Sequence, residues 1–110
     1  MLLPETFDLL VLGLGSTGLA VARWGAAHLG ERVRSVTVYG GAASAPSAET
    51  DALGAAGVRF VFGTELVEGD YDVCVASPGI SEFSAFFARG REHALAIMGE
   101  LEFAWRLSLE

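Results

Sequence analysis

The sequence predicts an α/β domain: a parallel sheet of about five strands with helices on both faces, forming a single three-layer unit. Two observations lead to this fold class. Short apolar runs alternate along the chain with segments whose apolar residues recur at helical spacing. The apolar runs are largely continuous, which is typical of strands buried on both faces of a parallel sheet. We therefore expect right-handed crossovers between the strands.

Five segments have the composition of buried strands. The first, from Asp8 to Leu12, is continuously apolar after its first residue and is followed by glycine. The second, residues 35–39, is rich in β-branched residues, which favour strands. The fourth, residues 71–76, runs into Ser77-Pro78-Gly79, where proline and glycine enforce a turn. The five predicted strands cover residues 8–12, 35–39, 58–62, 71–76 and 95–98.

The first two predicted helices have clear boundaries. After the glycine-rich residues 13–18, apolar residues recur at helical spacing, and Gly30 provides a C-terminal stop. The apolar face of this helix consists of Leu19, Ala22, Ala26 and Leu29. The second helix is expected over residues 48–56, with Ser47 as its N-terminal cap and Gly57 as its stop.

The last two predicted helices differ in how they end. The third is expected to begin after a cap formed by Ser81 or Ser84 and to end near His93. One of its faces carries an aromatic stripe formed by Phe83, Phe86 and Phe87. The fourth follows Gly99 and keeps the helical pattern to Glu110 without a stop signal. We therefore expect this chain to be part of a longer protein.

Charge and composition argue against several classes of function. A net charge of −7 over 110 residues disfavours nucleic acid and anionic membrane surfaces as partners. All seven basic residues are arginine, so the chain lacks the lysine that a P-loop requires. Cys74 is the single cysteine, and His28 and His93 lie far apart, so we expect neither a disulfide nor a metal site. Because no apolar run reaches ~18 residues and the N-terminus lacks a secretory signal, we expect a cytoplasmic protein.

The glycine-rich loop is the candidate ligand site. Gly13, Gly15 and Gly18 fit the G-x-G-x-x-G pattern between a strand and a helix, the setting in which it binds dinucleotide phosphates. Ser16 and Thr17 add hydroxyl donors, and the helix N-terminus offers unpaired N–H groups. The pattern predicts a Rossmann-like fold that binds phosphate; the alternative is a purely structural glycine turn. In the strand order 3-2-1-4-5, the loops after the first and fourth strands line one cleft at the carboxyl ends of the strands.

The end of the second strand bears on which nucleotide is bound. Domains that bind NAD usually place Asp or Glu there to hold the ribose hydroxyls, and NADP sites have a nearby arginine. This chain has Tyr39-Gly40-Gly41, which supplies neither. The main alternative, an NAD(P)-binding domain of an oxidoreductase or a nucleotide-sensing regulatory domain, is therefore disfavoured. Tyr39 itself either contacts a base or packs as an ordinary core aromatic.

Three motifs are spread over most of the chain. They are residues 11–20, which contain the glycine loop, residues 76–80 (Ala-Ser-Pro-Gly-Ile) and residues 98–103 (Met-Gly-Glu-Leu-Glu-Phe). The first motif alone is shared with many dehydrogenases, but the order and spacing of all three are more specific. Together they resemble the Mur ligase family of peptidoglycan synthesis, and within it the D-glutamate-adding branch.

The resemblance implies a site for the UDP part of UDP-N-acetylmuramoyl-L-alanine. Its pyrophosphate would lie at the amides of Ser16 and Thr17, and Gly79 would approach from the opposite loop. Where better-known members contact uracil through an acidic residue, this chain has Tyr39-Gly40-Gly41. The implied substrate-binding residues are Gly13, Gly15, Ser16, Thr17, Gly18, Tyr39, Gly40, Ser77, Pro78 and Gly79.

The resemblance also implies a division of labour. Residues 1–98 would form the UDP-binding N-terminal domain, and residues 99–110 would begin the connection to an ATP-binding central domain. The family uses ATP and Mg²⁺ to activate the substrate for attack by D-glutamate, and domains outside this chain would bind all three. We therefore expect no catalytic residue, cofactor site or metal ligand here. A domain that kept the fold but lost ligand binding is the remaining alternative.

Overall fold

A five-stranded parallel sheet forms the centre of the protein. A computed structural model describes residues 3–110, so Met1 and Leu2 of the predicted domain lie outside it. The strands are β1 (Phe7–Leu12), β2 (Val33–Tyr39), β3 (Arg59–Val61), β4 (Tyr71–Ala76) and β5 (Ala94–Gly99). Their order across the sheet is β3-β2-β1-β4-β5, and every neighbouring pair is parallel. The predicted fold class and strand order are therefore confirmed.

Helices and a loop cover the two faces of the sheet. The helices are α1 (Ser16–Ala27), α2 (Ala48–Ala55), α3 (Ala85–His93) and α4 (Glu100–Ser108). Alternate residues of the central strands face opposite ways. Leu9 and Val11 belong to the core cluster under α1 and α4, whereas Leu10 and Leu12 belong to the cluster under α3. Residues 9–12 of β1 are therefore all apolar because they contribute to two cores, one on each face of the sheet.

An aromatic cluster joins α1 and α4 to the sheet. Phe7 of β1 stacks on Trp24 of α1, and the ring of Phe103 from α4 packs edge-on against Trp24 at 5.3 Å between centroids. Phe103 is only 3% exposed. The segment 99–110 therefore packs on the same domain as the rest of the chain. That it continues into an ATP-binding domain stays a prediction.

The start of α3 corrects one prediction. Ser84 is the cap, because its hydroxyl accepts the N–H of Phe87 at 3.1 Å. Ser81 instead forms a separate turn before the helix, with the N–H of Ser84 donating to its carbonyl oxygen. Phe83 lies in that turn and is 91% exposed, so the predicted stripe of three phenylalanines is wrong. Of the three, Phe86 is buried in the core and Phe87 is partly buried beside it.

The boundaries of α2 follow the prediction closely, whereas α1 ends at Ala27, before the Leu29 that was expected on its apolar face. Ser47 caps α2 in a reciprocal capping box with Thr50, so residues 48–55 form the helix expected after it. Gly57 follows with a positive φ of 106°, a backbone conformation that favours glycine. No helix within residues 3–110 has the length and apolar character that a bilayer crossing requires.

Candidate functional site

Three strands end at the same level on one edge of the sheet. Leu12, the last residue of β1, pairs with Tyr39 on one side and with Ala76 on the other. The segments that follow these strands, residues 13–15, 40–47 and 77–84, therefore leave the sheet side by side. The predicted cleft between the loops after Leu12 and Ala76 is thus present in the structure.

Two glycines of the loop after β1 are required by packing within the domain. Gly13 has a φ of +107°, and a methyl group there would lie 2.7 Å from the hydroxyl oxygen of Ser77. A methyl group on Gly18 would overlap the carbonyl oxygen of Gly13. For these two positions, the structural interpretation of the glycine motif is sufficient.

Packing within the domain does not require glycine at positions 15 and 79. Gly15 has an ordinary φ of −65°, and a methyl group added at either position would meet nothing within 4 Å. Both residues are exposed, and they follow neighbouring strands at the same edge of the sheet. Close approach of another molecule's atoms is a physical reason for glycine at such positions. Both lie where the sequence predicted phosphate binding.

The N-terminus of α1 is open to an anion. Gly15 occupies the N-cap position, no side chain caps the helix, and its first turn contains no acidic residue. The first N–H groups of a helix have no partner within it and carry partial positive charge. Ser16 is exposed and Thr17 half-buried, so this end of the helix is open to solvent.

The other helices of the described part of the chain differ from α1 in this respect. Ser47 and Thr50 cap α2, and Ser84 caps α3. Helix α4 has no side-chain cap, but Glu100 and Glu102 stand in its first turn. Carboxylates there already interact with the helix dipole and repel an anionic ligand. Within residues 3–110, only α1 presents a free helix N-terminus without nearby acidic side chains on its first turn.

Ser77 adds an unused polar group at the base of the glycine loop. Its N–H donates to the carbonyl oxygen of Leu12 at 3.0 Å, which fixes the start of the Ser77-Pro78-Gly79 turn. Its hydroxyl oxygen is buried and has no hydrogen-bond partner among the described residues. A buried hydroxyl without a partner costs about 1–3 kcal/mol. It is therefore a candidate for a contact to a bound group.

A cleft of about 370 Å³ lies between these loops. It is lined by Gly13, Gly40, Gly41, Ala42, Ala43, Ser44, Glu65, Ile80 and Phe86. Gly40 forms part of the cleft wall and is closely packed there, because a methyl group at this position would lie 2.5 Å from the side chain of Ser44. The cleft is large enough for a planar ring, and most of its side chains are small or apolar.

Tyr39 does not present its ring to this cleft. The residue is 2% exposed and packs in the core cluster with Leu10, Leu12 and Phe86. Its hydroxyl oxygen accepts the N–H of Glu68 at 3.0 Å. Of the two roles that the sequence left open for Tyr39, the structure favours core packing over contact with a base.

The sequence did not point to the loop between β3 and β4 as part of the site. An isolated antiparallel bridge joins Gly41 to Thr64, and the N–H of Gly63 donates to the hydroxyl oxygen of Ser44 at 3.1 Å. These contacts bring Glu65 into the lining of the cleft. No motif in residues 62–68 signals this, because the contacts depend on how two separate loops meet.

Cavities at the opposite edge of the sheet have a different character. One of about 310 Å³ lies at the amino ends of β4 and β5, where its lining includes Asp8, Asp70, Asp72 and Glu92. Carboxylates repel phosphate, and ligands of such sheets bind at the carboxyl ends of the strands. This cavity is therefore unsuited to a nucleotide.

The single cysteine is not a nucleophile at the site. Cys74 lies in β4 and is fully buried. Burial raises the pKa of its thiol to about 12. Because the thiolate is the reactive form, this cysteine is inert at neutral pH, as expected for a buried core residue.

Several curated proteins that are similar to the chain carry the same name. The chain is 38% identical over 98 residues to the UDP-N-acetylmuramoylalanine--D-glutamate ligase of Burkholderia vietnamiensis. It is 40% identical over 107 residues to the ligase of that name from Burkholderia mallei strain ATCC 23344, and 37% identical over 98 residues to that of Burkholderia ambifaria strain MC40-6. The chain is a homologue of these ligases.

The match covers very different shares of this chain and of the ligases. It covers 86% of this chain but 19% of each of these ligases, and the matched part is N-terminal. No protein-family model matches the chain. The resemblance to the D-glutamate-adding branch of the Mur ligases is thus confirmed, and the NAD(P)-binding alternative is not favoured.

Proposed function

We propose that this chain binds the UDP part of UDP-N-acetylmuramoyl-L-alanine, as the substrate-binding module of a ligase that adds D-glutamate in peptidoglycan synthesis. The observation that carries the proposal is the open N-terminus of α1, with exposed Gly15 and Ser16 beside the Gly79 loop. The names of the homologous ligases supply the chemical identity of the ligand.

The pyrophosphate would be held by backbone donors. The amides of Ser16 and Thr17 belong to the first turn of α1, and Gly15 leaves room for phosphate oxygens to approach them. Helix-end interactions contribute about 0.3–1 kcal/mol each near the surface. The net charge of −7 opposes an anionic ligand. We therefore expect this chain alone to bind weakly, with cations elsewhere in the ligase strengthening the complex.

In the proposed ligase, amide-bond formation would depend on groups outside this chain. It has no lysine for an ATP-binding P-loop. Within residues 3–110, no group of three or more His, Cys, Asp or Glu side chains is placed to hold a metal ion. In the proposed enzyme, ATP, Mg²⁺ and D-glutamate are bound by the part of the ligase outside the matched segment. We propose a cytoplasmic location for it, where these substrates meet.

An NMR titration tests the proposal. The ¹⁵N-labelled chain is titrated separately with UDP-N-acetylmuramoyl-L-alanine, UDP and NAD, and the amide signals of Gly15, Ser16, Thr17 and Gly79 are followed. We expect both UDP compounds to shift these signals and NAD to leave them in place. Shifts with NAD alone would replace the proposal with a dinucleotide-binding oxidoreductase. Silence with all three ligands would contradict binding by this chain alone and leave two explanations: a cleft that needs the part of the ligase outside this chain, or a domain that has lost ligand binding.

A further inference from the structure

The cleft beside the glycine loop contains one side chain with a free charge. Among the residues that line it, Ser44 and Glu65 are the two that carry polar side chains. The hydroxyl group of Ser44 is already engaged, since it donates to the carbonyl oxygen of Gly41 at 2.5 Å and accepts the N–H of Gly63. Among the described residues, no ion pair or hydrogen bond engages the carboxylate of Glu65.

The loop that carries Glu65 is fixed on both sides of it. Before it, Thr64 pairs with Gly41 of the loop after β2. After it, the N–H of Glu68 donates to the buried hydroxyl of Tyr39. Val67 between them is fully buried in the core under α3. Glu65 is thus held at the wall of the cleft by its neighbours, while its own side chain remains exposed and unpaired.

We propose that Glu65 is the base-selecting residue of the nucleotide site, its carboxylate accepting a hydrogen bond from the ring N–H of uracil. This inference rests on the proposed function and adds how the site selects its base. A base in the cleft would meet mostly glycine, alanine and the apolar Ile80 and Phe86, whose side chains have no polar group that distinguishes one pyrimidine from another. Uracil has an N–H at ring position 3, where cytosine has an acceptor nitrogen. A carboxylate accepts a hydrogen bond from the uracil N–H and repels the lone pair of the cytosine nitrogen.

A role for Glu65 in base recognition also explains why no side-chain acceptor follows β2. Tyr39-Gly40-Gly41 contains no side-chain acceptor that faces the cleft, because the Tyr39 hydroxyl is buried and occupied. The close packing of Gly40 against Ser44 leaves no room for a larger residue. The acceptor is therefore supplied by the adjacent loop, which the Gly41–Thr64 bridge holds against the end of β2.

The test compares UDP with CDP, which share the ribose and diphosphate and differ in the base. Dissociation constants of both are measured by NMR titration for the wild-type chain and for Glu65→Ala, Glu65→Gln and Glu68→Ala. Glu68→Ala is the matched control, since it removes the same charge from the same loop but keeps the backbone N–H used by Tyr39. An amide spectrum of each variant verifies that the fold is intact.

We expect the wild-type chain and Glu68→Ala to prefer UDP over CDP by roughly tenfold, the effect of one hydrogen bond to a charged acceptor. Glu65→Ala should bind the two nucleotides equally. Glu65→Gln, which offers both a donor and an acceptor, should recover CDP binding relative to UDP. An unchanged UDP preference in Glu65→Ala would overturn the role of Glu65 and leave the proposed function standing. Failure of the wild-type chain to bind UDP at all would remove both.

Discussion

Substitution of two glycines in the same loop by alanine should separate ligand binding from folding. A methyl group on Gly15 enters open space, and the backbone there, at φ −65° and ψ 175°, suits any residue. A methyl group on Gly18 meets the backbone carbonyl of Gly13. Gly13 is itself held in place, because its N–H donates a hydrogen bond to the carbonyl oxygen of Tyr39 at 2.8 Å. We predict that Gly15→Ala impairs binding and that Gly18→Ala impairs stability.

The magnitudes follow from these surroundings. Alanine is a poorer N-cap than glycine, so Gly15→Ala should lower the free energy of unfolding by no more than about 1 kcal/mol. Overpacking at Gly18 costs up to about 3 kcal/mol. Alanine regains about 1 kcal/mol as a better helix former, which leaves a net loss near 2 kcal/mol. For UDP binding, a methyl group between Gly15 and a phosphate should weaken affinity at least tenfold, about 1.4 kcal/mol.

Urea unfolding monitored by tryptophan fluorescence gives the two stabilities, and NMR titration with UDP gives the affinities. Gly54→Ala in α2 is a matched control, because a methyl group there also meets nothing within 4 Å and Gly54 is not among the residues that line the cleft. Wild-type affinity for UDP in Gly15→Ala would refute the close approach of phosphate to this loop. Equal destabilisation by Gly15→Ala and Gly18→Ala would refute the packing argument.

Three further predictions concern stability. Ser47→Ala removes one half of the α2 capping box and should lower the free energy of unfolding by about 1 kcal/mol in urea titrations; an unchanged value would contradict the role of the cap. Phe103→Ala should cost about 3–5 kcal/mol because its ring packs against Trp24 and Phe7, whereas Leu101→Ala on the exposed side of α4 should cost little; similar losses would contradict the assigned packing. Burial raises the pKa of Cys74 from 9.0 to about 12, so the unfolded chain loses this proton at lower pH than the folded one. The contribution of Cys74 to the free energy of unfolding is therefore constant below pH 9 and should fall by up to about 1.4 kcal/mol per pH unit between pH 9 and 12. Cys74→Ala should show a shallower fall but not a flat one, because burial also raises the pKa of Tyr71.

The positions of the strands and of the glycine loop were predictable because their signals are local. Continuous apolar runs mark strands that are covered on both faces, and the segment from Gly13 to Gly18 stands between such a run and a helical one. Capping by Ser47 is equally local, since it depends on residues three apart. Each of these features could be predicted without knowing what lies across the fold.

The remaining features depend on contacts between distant segments. Phe83 fits the helical period of α3, but the Ser81 turn and the Ser84 cap exclude it from the helix. Tyr39 is a core residue because the N–H of Glu68, far along the chain, occupies its hydroxyl. Glu65 enters the cleft through a bridge between its neighbour and Gly41. Periodicity and motif spacing carry no information about these pairings.

The role of the α1 N-terminus is tested most directly by a crystal structure of this chain with UDP-N-acetylmuramoyl-L-alanine. We predict pyrophosphate oxygens at hydrogen-bonding distance, about 2.7–3.2 Å, from the backbone nitrogens of Ser16 and Thr17, with the base in the cleft beside Gly40 and Glu65. A pyrophosphate bound at any other part of the chain, with these amides free, would contradict it.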